Sequence, residues 1–207
     1  IPHGCKPTEC PPEEECKRSI GVDPRASIVG YVGFISNHKG LETLIEAMLR
    51  VPDAALLVGG GWHVEAETMY ITSLKERSIG LMPRRCQWLG YVPDERLSTT
   101  YGACKVIVYP SRFATESGAL LMALSHGKAV LASRLKPFVE KEKEGALMTF
   151  TGVVDLTRKI RKLLKDEELR SRLERGARAY AETYSWPKMA QRHLNLYREV
   201  LEERKKL

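Results

Sequence analysis

Six short apolar runs, spaced by stretches of helical periodicity, constrain the fold of this chain more than any other feature. They are "SIVGYVG" (Ser27–Gly33), "AALLVG" (Ala54–Gly59), "QWLGYV" (Gln87–Val92), "KVIVY" (Lys105–Tyr109), "AVLA" (Ala129–Ala132) and "ALMTF" (Ala146–Phe150). Each is β-branched or aliphatic with little polar alternation, as strands covered on both faces are. Between them, Leu41–Leu49, Val64–Arg77, Asp94–Ala103 and Ser117–Ser125 carry helical apolar spacing. That alternation predicts an α/β fold: a three-layer, Rossmann-like parallel sheet of about six strands. From Thr151 on only helices are expected, with "SWP" (Ser185–Pro187) restarting one: Ser185 as its cap and Pro187 in its first turn. The expected organisation is a single domain over residues 1–207, with a lead-in to about 25, sheet and helices over 26–150 and terminal helices over 151–207.

Right-handed crossovers put every strand-to-helix turn on one sheet edge, where ligands of such sheets bind. Three turns there stand out: "GFISNHKG", "GGGWH" and "PSRFATESG". The last joins a buried strand to an apolar helix through Thr115, Glu116, Ser117 and Gly118. A hydroxyl at that place caps a helix. The same turn also suits an anion, because free N–H groups and the helix dipole point at it and glycine lets a phosphate approach. Lys39 in "NHKG" heads the first helix, where a cation is electrostatically misplaced: it is either an exposed lysine of no consequence or the partner of a phosphate lying between it and the other turn. "GGGWH" follows the second strand, whereas a dinucleotide fingerprint belongs after the first, so it reads as a tight turn.

Composition narrows the partners. Net charge is +7, and all of it lies in Arg158–Leu207, which holds 15 Lys and Arg against 8 Asp and Glu. There the basic residues alternate with acids along amphipathic stretches. This reads as a solvated helical face and not a nucleic-acid surface. A basic face of this kind would suit a membrane-surface or lipid-linked acceptor. No apolar run approaches the length of a membrane span. The start at Ile1 rather than Met reads as a piece of something longer. Five cysteines, with four and five residues between Cys5, Cys10 and Cys16, do not fit usual zinc spacing. The expectation is a reduced, cytoplasmic protein, with an N-terminal disulfide as the alternative.

The blocks "IPHG", "YVGFISNHKGLETLIEAM", "LLVGGG", "WLGYVPDERLSTTYGACKVIVYPS", "SGALLMALSHGKAVLAS", "FVE" and "YSWPKMA", in this order, resemble the C-terminal, donor-binding half of a GT-B glycosyltransferase of the retaining group 1 (family 4). The resemblance runs over essentially the whole chain. It implies a domain that binds a UDP- or GDP-sugar without a metal or other cofactor. The acceptor would be held by an absent N-terminal half or partner chain, toward which the last helix crosses back. By position it implies donor-binding roles for Gly33, Phe34, Asn37, Lys39, Gly60, Tyr91, Val92, Leu97, Glu116, Ser117, Gly118 and Ala119. Lys39 and Glu116 would be the catalytic pair: Lys39 to stabilise the leaving diphosphate, Glu116 to serve the sugar or ribose. The sequence departs from the family at Phe34, where an arginine is usual, and at Ala114 and Met122, where glutamates are usual. Arg112 and Arg134 are candidates for the missing cation. These departures keep open a second reading, a degenerate, non-catalytic GT-B domain acting as an interaction module. A sugar-nucleotide epimerase would need histidines in the cleft. His3, His38, His63, His126 and His193 show no such grouping, with His38 and His126 expected nearest the site.

Overall fold

The computed structural model describes residues 2–62 and 67–204. Its strands are β1 (Ser27–Val32), β2 (Ala54–Gly59), β3 (Cys86–Gly90), β4 (Val106–Tyr109), β5 (Ala129–Ser133) and β6 (Met148–Phe150). They form one parallel sheet in the order β3-β2-β1-β4-β5-β6. β1, β2, β4 and β5 are almost wholly buried, which explains their lack of polar alternation. β3 stops at Gly90, two residues before the expected end, because Gly90 turns the chain with a φ of 69°. The chain reverses its direction of growth across the sheet between β1 and β4, and a crevice opens there beyond the carboxyl ends of the strands.

The helices are α1 (Glu13–Ser19), α2 (Leu41–Leu49), α3 (Thr68–Leu81), α4 (Asp94–Gly102), α5 (Gly118–Ser125), α6 (Lys136–Lys143), α7 (Gly152–Lys165), α8 (Glu167–Thr183) and α9 (Trp186–Arg204). The start of α3 expected at Val64 lies outside the described residues, as does His63. α2 buries Leu41, Leu44, Ile45 and Met48, an i, i+3, i+4, i+7 stripe, and packs on α7. α5 lies between β5 and α8 and buries Leu120, Leu121, Ala123 and Leu124, so it is apolar nearly all round. Two helices not expected from the sequence, α1 and α6, bury few apolar side chains, chiefly Cys16 and Phe138.

The two chain ends meet. The amide N–H of Cys5 donates to Tyr184 O (3.0 Å), and that of Trp186 donates to Cys5 O (3.2 Å). A side chain on Gly4 would collide with the Trp186 ring, 2.5 Å away. Pro187 sits in the first turn of α9, as expected. Beyond Met189 this helix leaves the body, with Leu194, Tyr197 and Leu201 largely exposed. Among the described residues no helix is long and apolar enough to cross a membrane.

Candidate functional site

The crevice is floored by backbone. Gly33 has a φ of 152°, and a Cβ on it would stand 2.8 Å from the Cβ of Ala119 in the first turn of α5. A Cβ on Gly60 would stand 1.8 Å from Gly33 O. Glycine at both places therefore lets the ends of β1 and β2 and the start of α5 touch. Above this floor is a cleft of about 240 Å³ lined by Gly33, Phe34, Gly60, Tyr91, Val92, Leu97, Asp94, Ala119 and Met122, with Tyr101 beneath. Seven of the residues expected from the sequence thus come together: Gly33, Phe34, Gly60, Tyr91, Val92, Leu97 and Ala119.

Three tyrosines hold this junction from below, and sequence reasoning did not single them out. The Tyr109 hydroxyl lies 2.6 Å from Ala119 O and 3.0 Å from Val32 O, tying α5 to the end of β1. Tyr101 lies 3.4 Å from both the Tyr109 hydroxyl and Ala119 O. Tyr31 donates to Phe34 O at 2.6 Å. Burial pushes all three phenols well above the usual range, so they stay neutral donors. Asp94, in the first turn of α4, was also missed: as a helix-start acid it has an ordinary structural explanation in the sequence.

Lys39 ends a single 3-10 turn (Asn37–Lys39), and Gly40, in the left-handed region at φ 63°, separates it from α2. It therefore stands just before the helix rather than at its head. The turn is clamped to the one after β4. The Arg112 N–H donates to His38 O (2.9 Å), Arg112 Nη1 donates to Asn37 Oδ1 (2.6 Å), and its other terminal nitrogen pairs with Glu42. Those partners engage both the Asn37 side chain and Arg112. Arg134 lies 4.0 Å from Glu142, on the turn after β5. Lys39 is half-buried, and burial lowers its pKa below the ordinary lysine value. Among the described residues it has no acid partner.

Ser117 caps α5, its hydroxyl accepting from the Leu120 N–H at 3.3 Å. Gly118 is exposed, and a Cβ there would meet nothing within 4 Å. Glu116 is drawn elsewhere. Its carboxylate is 3.0 Å from the nearly buried Lys141 ammonium and accepts the Ser117 N–H at 3.0 Å. It faces a separate pocket with His3, Trp186 and His193, not the cleft. His38 is exposed and bonded to Ser36 (2.8 Å). His126 was expected near the site, but it sits at the far end of α5, stacked on Tyr101 with ring centroids 4.6 Å apart. Burial lowers its pKa, and its Nδ1 lies 2.7 Å from Met122 O, so it is a packed side chain.

This arrangement offers an apolar slot, a floor of closely packed backbone, a cation without an acid partner among the described residues and a helix N-terminus, all on one sheet edge. The family model for glycosyl transferases group 1 matches residues 12–180. A D-inositol 3-phosphate glycosyltransferase of Corynebacterium jeikeium is 26% identical over 198 residues, covering 90% of this chain and 47% of that protein. Sucrose-phosphate synthase from Thermosynechococcus elongatus superposes with a TM-score of 0.84 at 25% identity, over 98% of this chain and 52% of that one. Anabaena HepE, solved in complex with UDP and glucose, superposes with a TM-score of 0.79 at 19% identity, over 99% of this chain and 55% of that one. The chain spans about half the length of the relatives it matches. It has the α/β sheet of their carboxyl-terminal halves and belongs to the group 1 glycosyl transferases.

Proposed function

We propose that this chain is the donor-binding half of a retaining glycosyltransferase and takes a nucleotide-diphospho-sugar at the β1–β4 crevice. The observation that carries the reading is Lys39: a half-buried cation without an acid partner among the described residues, on the same edge as the α5 N-terminus. A diphosphate between them gives Lys39 its counter-charge and the first-turn N–H groups of α5 their acceptor. The nucleoside then lies in the apolar slot against Tyr91, Val92 and Leu97. Transfer follows from electrostatics. As the bond between the sugar's anomeric carbon and the phosphate oxygen breaks, negative charge grows on the diphosphate, which Lys39 and the start of α5 would stabilise. No metal is required in this scheme. The binding of UDP by HepE, a protein of the same fold, supports a nucleotide donor.

The acceptor belongs to an N-terminal half or partner that covers α9, whose Leu194, Tyr197 and Leu201 are exposed. Phe34, Ala114 and Met122 favour the second reading, a domain that has lost donor binding and serves as an interaction module. One experiment separates the two. Calorimetric titration of the chain with UDP, GDP and ADP, with and without EDTA, should show metal-independent binding of one nucleotide. A folded chain that binds none at millimolar ligand supports the module instead. Once the acceptor half is identified, the anomeric configuration of the product, read by NMR, tests retention.

A further inference from the structure

A second, larger cavity of about 630 Å³ opens at the amino edge of the sheet, away from the cleft. Its wall includes Cys10, Gly102, Lys128, Arg178, Glu9 and Glu182. Lys128 and Arg178 form no ion pair among the described residues. Of the other acids there, Glu13 is held by Lys17 at 2.5 Å, and Glu174 lies 4.0 Å from Arg170. The cavity thus presents two unneutralised cations together with the carboxylates of Glu9 and Glu182. That is a lining for a zwitterion rather than for a simple anion.

One thiol sits in the same wall, and a second is buried behind it. Cys10 reaches the cavity, with its Sγ 3.8 Å from His126 O. Cys16, from α1, is 1% exposed, and its Sγ points back to Pro11 O at 3.4 Å, the residue next to Cys10. A methyl on Gly102 would stand 2.5 Å from Cys16 Sγ and 3.2 Å from Cys10 Cβ. Both cysteines therefore crowd one glycine at the end of α4, and a bond between them requires the Cys10 side chain to rotate its sulfur away from His126. Burial raises both thiols, and Lys128 and Arg178 pull Cys10 back toward the thiolate.

We propose that Cys10 is a thiol-exchange site for a small zwitterionic disulfide of the glutathione class, with Cys16 as the resolving thiol. The Cys10 thiolate attacks one sulfur of the small disulfide, forming a mixed disulfide and releasing one small thiol. The Cys16 thiolate then attacks the Cys10 sulfur, forming Cys10–Cys16 and releasing the second. Two protein thiols are oxidised, one disulfide is reduced to two thiols, and the two cysteine protons end on those products. Lys128 and Arg178 hold the incoming carboxylates, and Glu9 and Glu182 the ammonium group.

The test is incubation of the folded chain with oxidised glutathione, followed by intact mass and non-reducing peptide mapping. The expected course is a transient adduct on Cys10, then a Cys10–Cys16 disulfide, with loss of two of the five thiols. In Cys16→Ser the adduct on Cys10 should persist. Replacing both Lys128 and Arg178 by Gln should slow modification by glutathione roughly tenfold or more beyond the slowing of the reaction with uncharged hydroxyethyl disulfide, which reads the lost thiolate alone. The proposal is overturned if wild-type mapping finds glutathione on other cysteines instead, or a stable Cys10 adduct that never resolves. It is also overturned if the double variant slows both reagents alike. The wild-type map needs no variant to fold.

Discussion

Replacing Lys39 by Ala should weaken nucleotide binding while leaving the fold as stable or more so, and the two effects have separate physical origins. A charge-assisted hydrogen bond to phosphate contributes about 1.5–3 kcal/mol. At about 1.4 kcal/mol per decade, its removal raises the dissociation constant roughly 10- to 150-fold. Stability moves the other way. Burial lowers the Lys39 pKa in the folded chain below its unfolded value. The folded state is therefore penalised for carrying the charge at every pH below the folded pKa. The penalty fades as pH rises through that value to the unfolded one. At neutral pH the alanine variant is relieved of it, and among the described residues no acid loses a partner. The assay pairs calorimetric titration with the nucleotide that binds wild type and thermal unfolding of both chains without ligand. Lys39→Met, which keeps the aliphatic stem, separates loss of charge from loss of packing. Unchanged affinity in the alanine variant would refute the argument, and so would a fall in affinity matched by a fall in the ligand-free midpoint.

Ser117→Ala removes the acceptor of the Leu120 N–H and should cost about 0.5–2 kcal/mol in urea unfolding. Gly60→Ala sets a methyl against Gly33 O, with the ideal position only 1.8 Å away. That overpacking should cost about 1–3 kcal/mol, whereas Gly118→Ala, which meets nothing, should not clash and serves as its control. His126 has a pKa lowered by burial, so the unfolded chain takes up a proton that the folded chain resists. Its contribution is intact above the ordinary histidine value of about 6.5 and is lost as pH falls below it. His126→Gln should flatten that limb of a stability-against-pH curve, and an unaltered slope would count against it.

What the sequence made legible was local. Fully buried strands announce themselves as unbroken apolar runs, and four of the six here have nearly every residue buried. α1 and α6 were illegible because "EEECKRS" and "KPFVEKEK" show almost no apolar stripe: each is held by one or two buried residues. At the site, Lys39 and Ser117 could be singled out because each is odd in its own immediate context, and Gly33 only through the resemblance. The tyrosine cluster could not. Tyr31, Tyr101 and Tyr109 sit inside runs where an aromatic is ordinary, and only the assembled fold brings their hydroxyls onto Val32, Phe34 and Ala119. Glu116 was legible as an acid beside the helix, but Lys141, which claims it, lies 25 residues further on.

That last pairing bears on how the crevice would hold the proposed diphosphate. With Phe34 in the first turn, Lys39 is the cation that this turn offers, and Arg112 is already committed to Asn37 and Glu42. The N-terminus of α5 must then supply the rest of the positive potential. A glutamate immediately before that helix is the group best placed to neutralise it. Its carboxylate does take the Ser117 N–H. The N–H groups of Gly118 and Ala119, however, lie in the first turn, with no helical carbonyl four residues back. Lys141, nearly buried and 3.0 Å from Glu116, offsets the carboxylate's charge and holds it on the side away from the cleft. In the proposed donor site, the positive potential would then rest on Lys39 in front of the helix and on Lys141 behind it, the second by keeping an acid from cancelling the dipole.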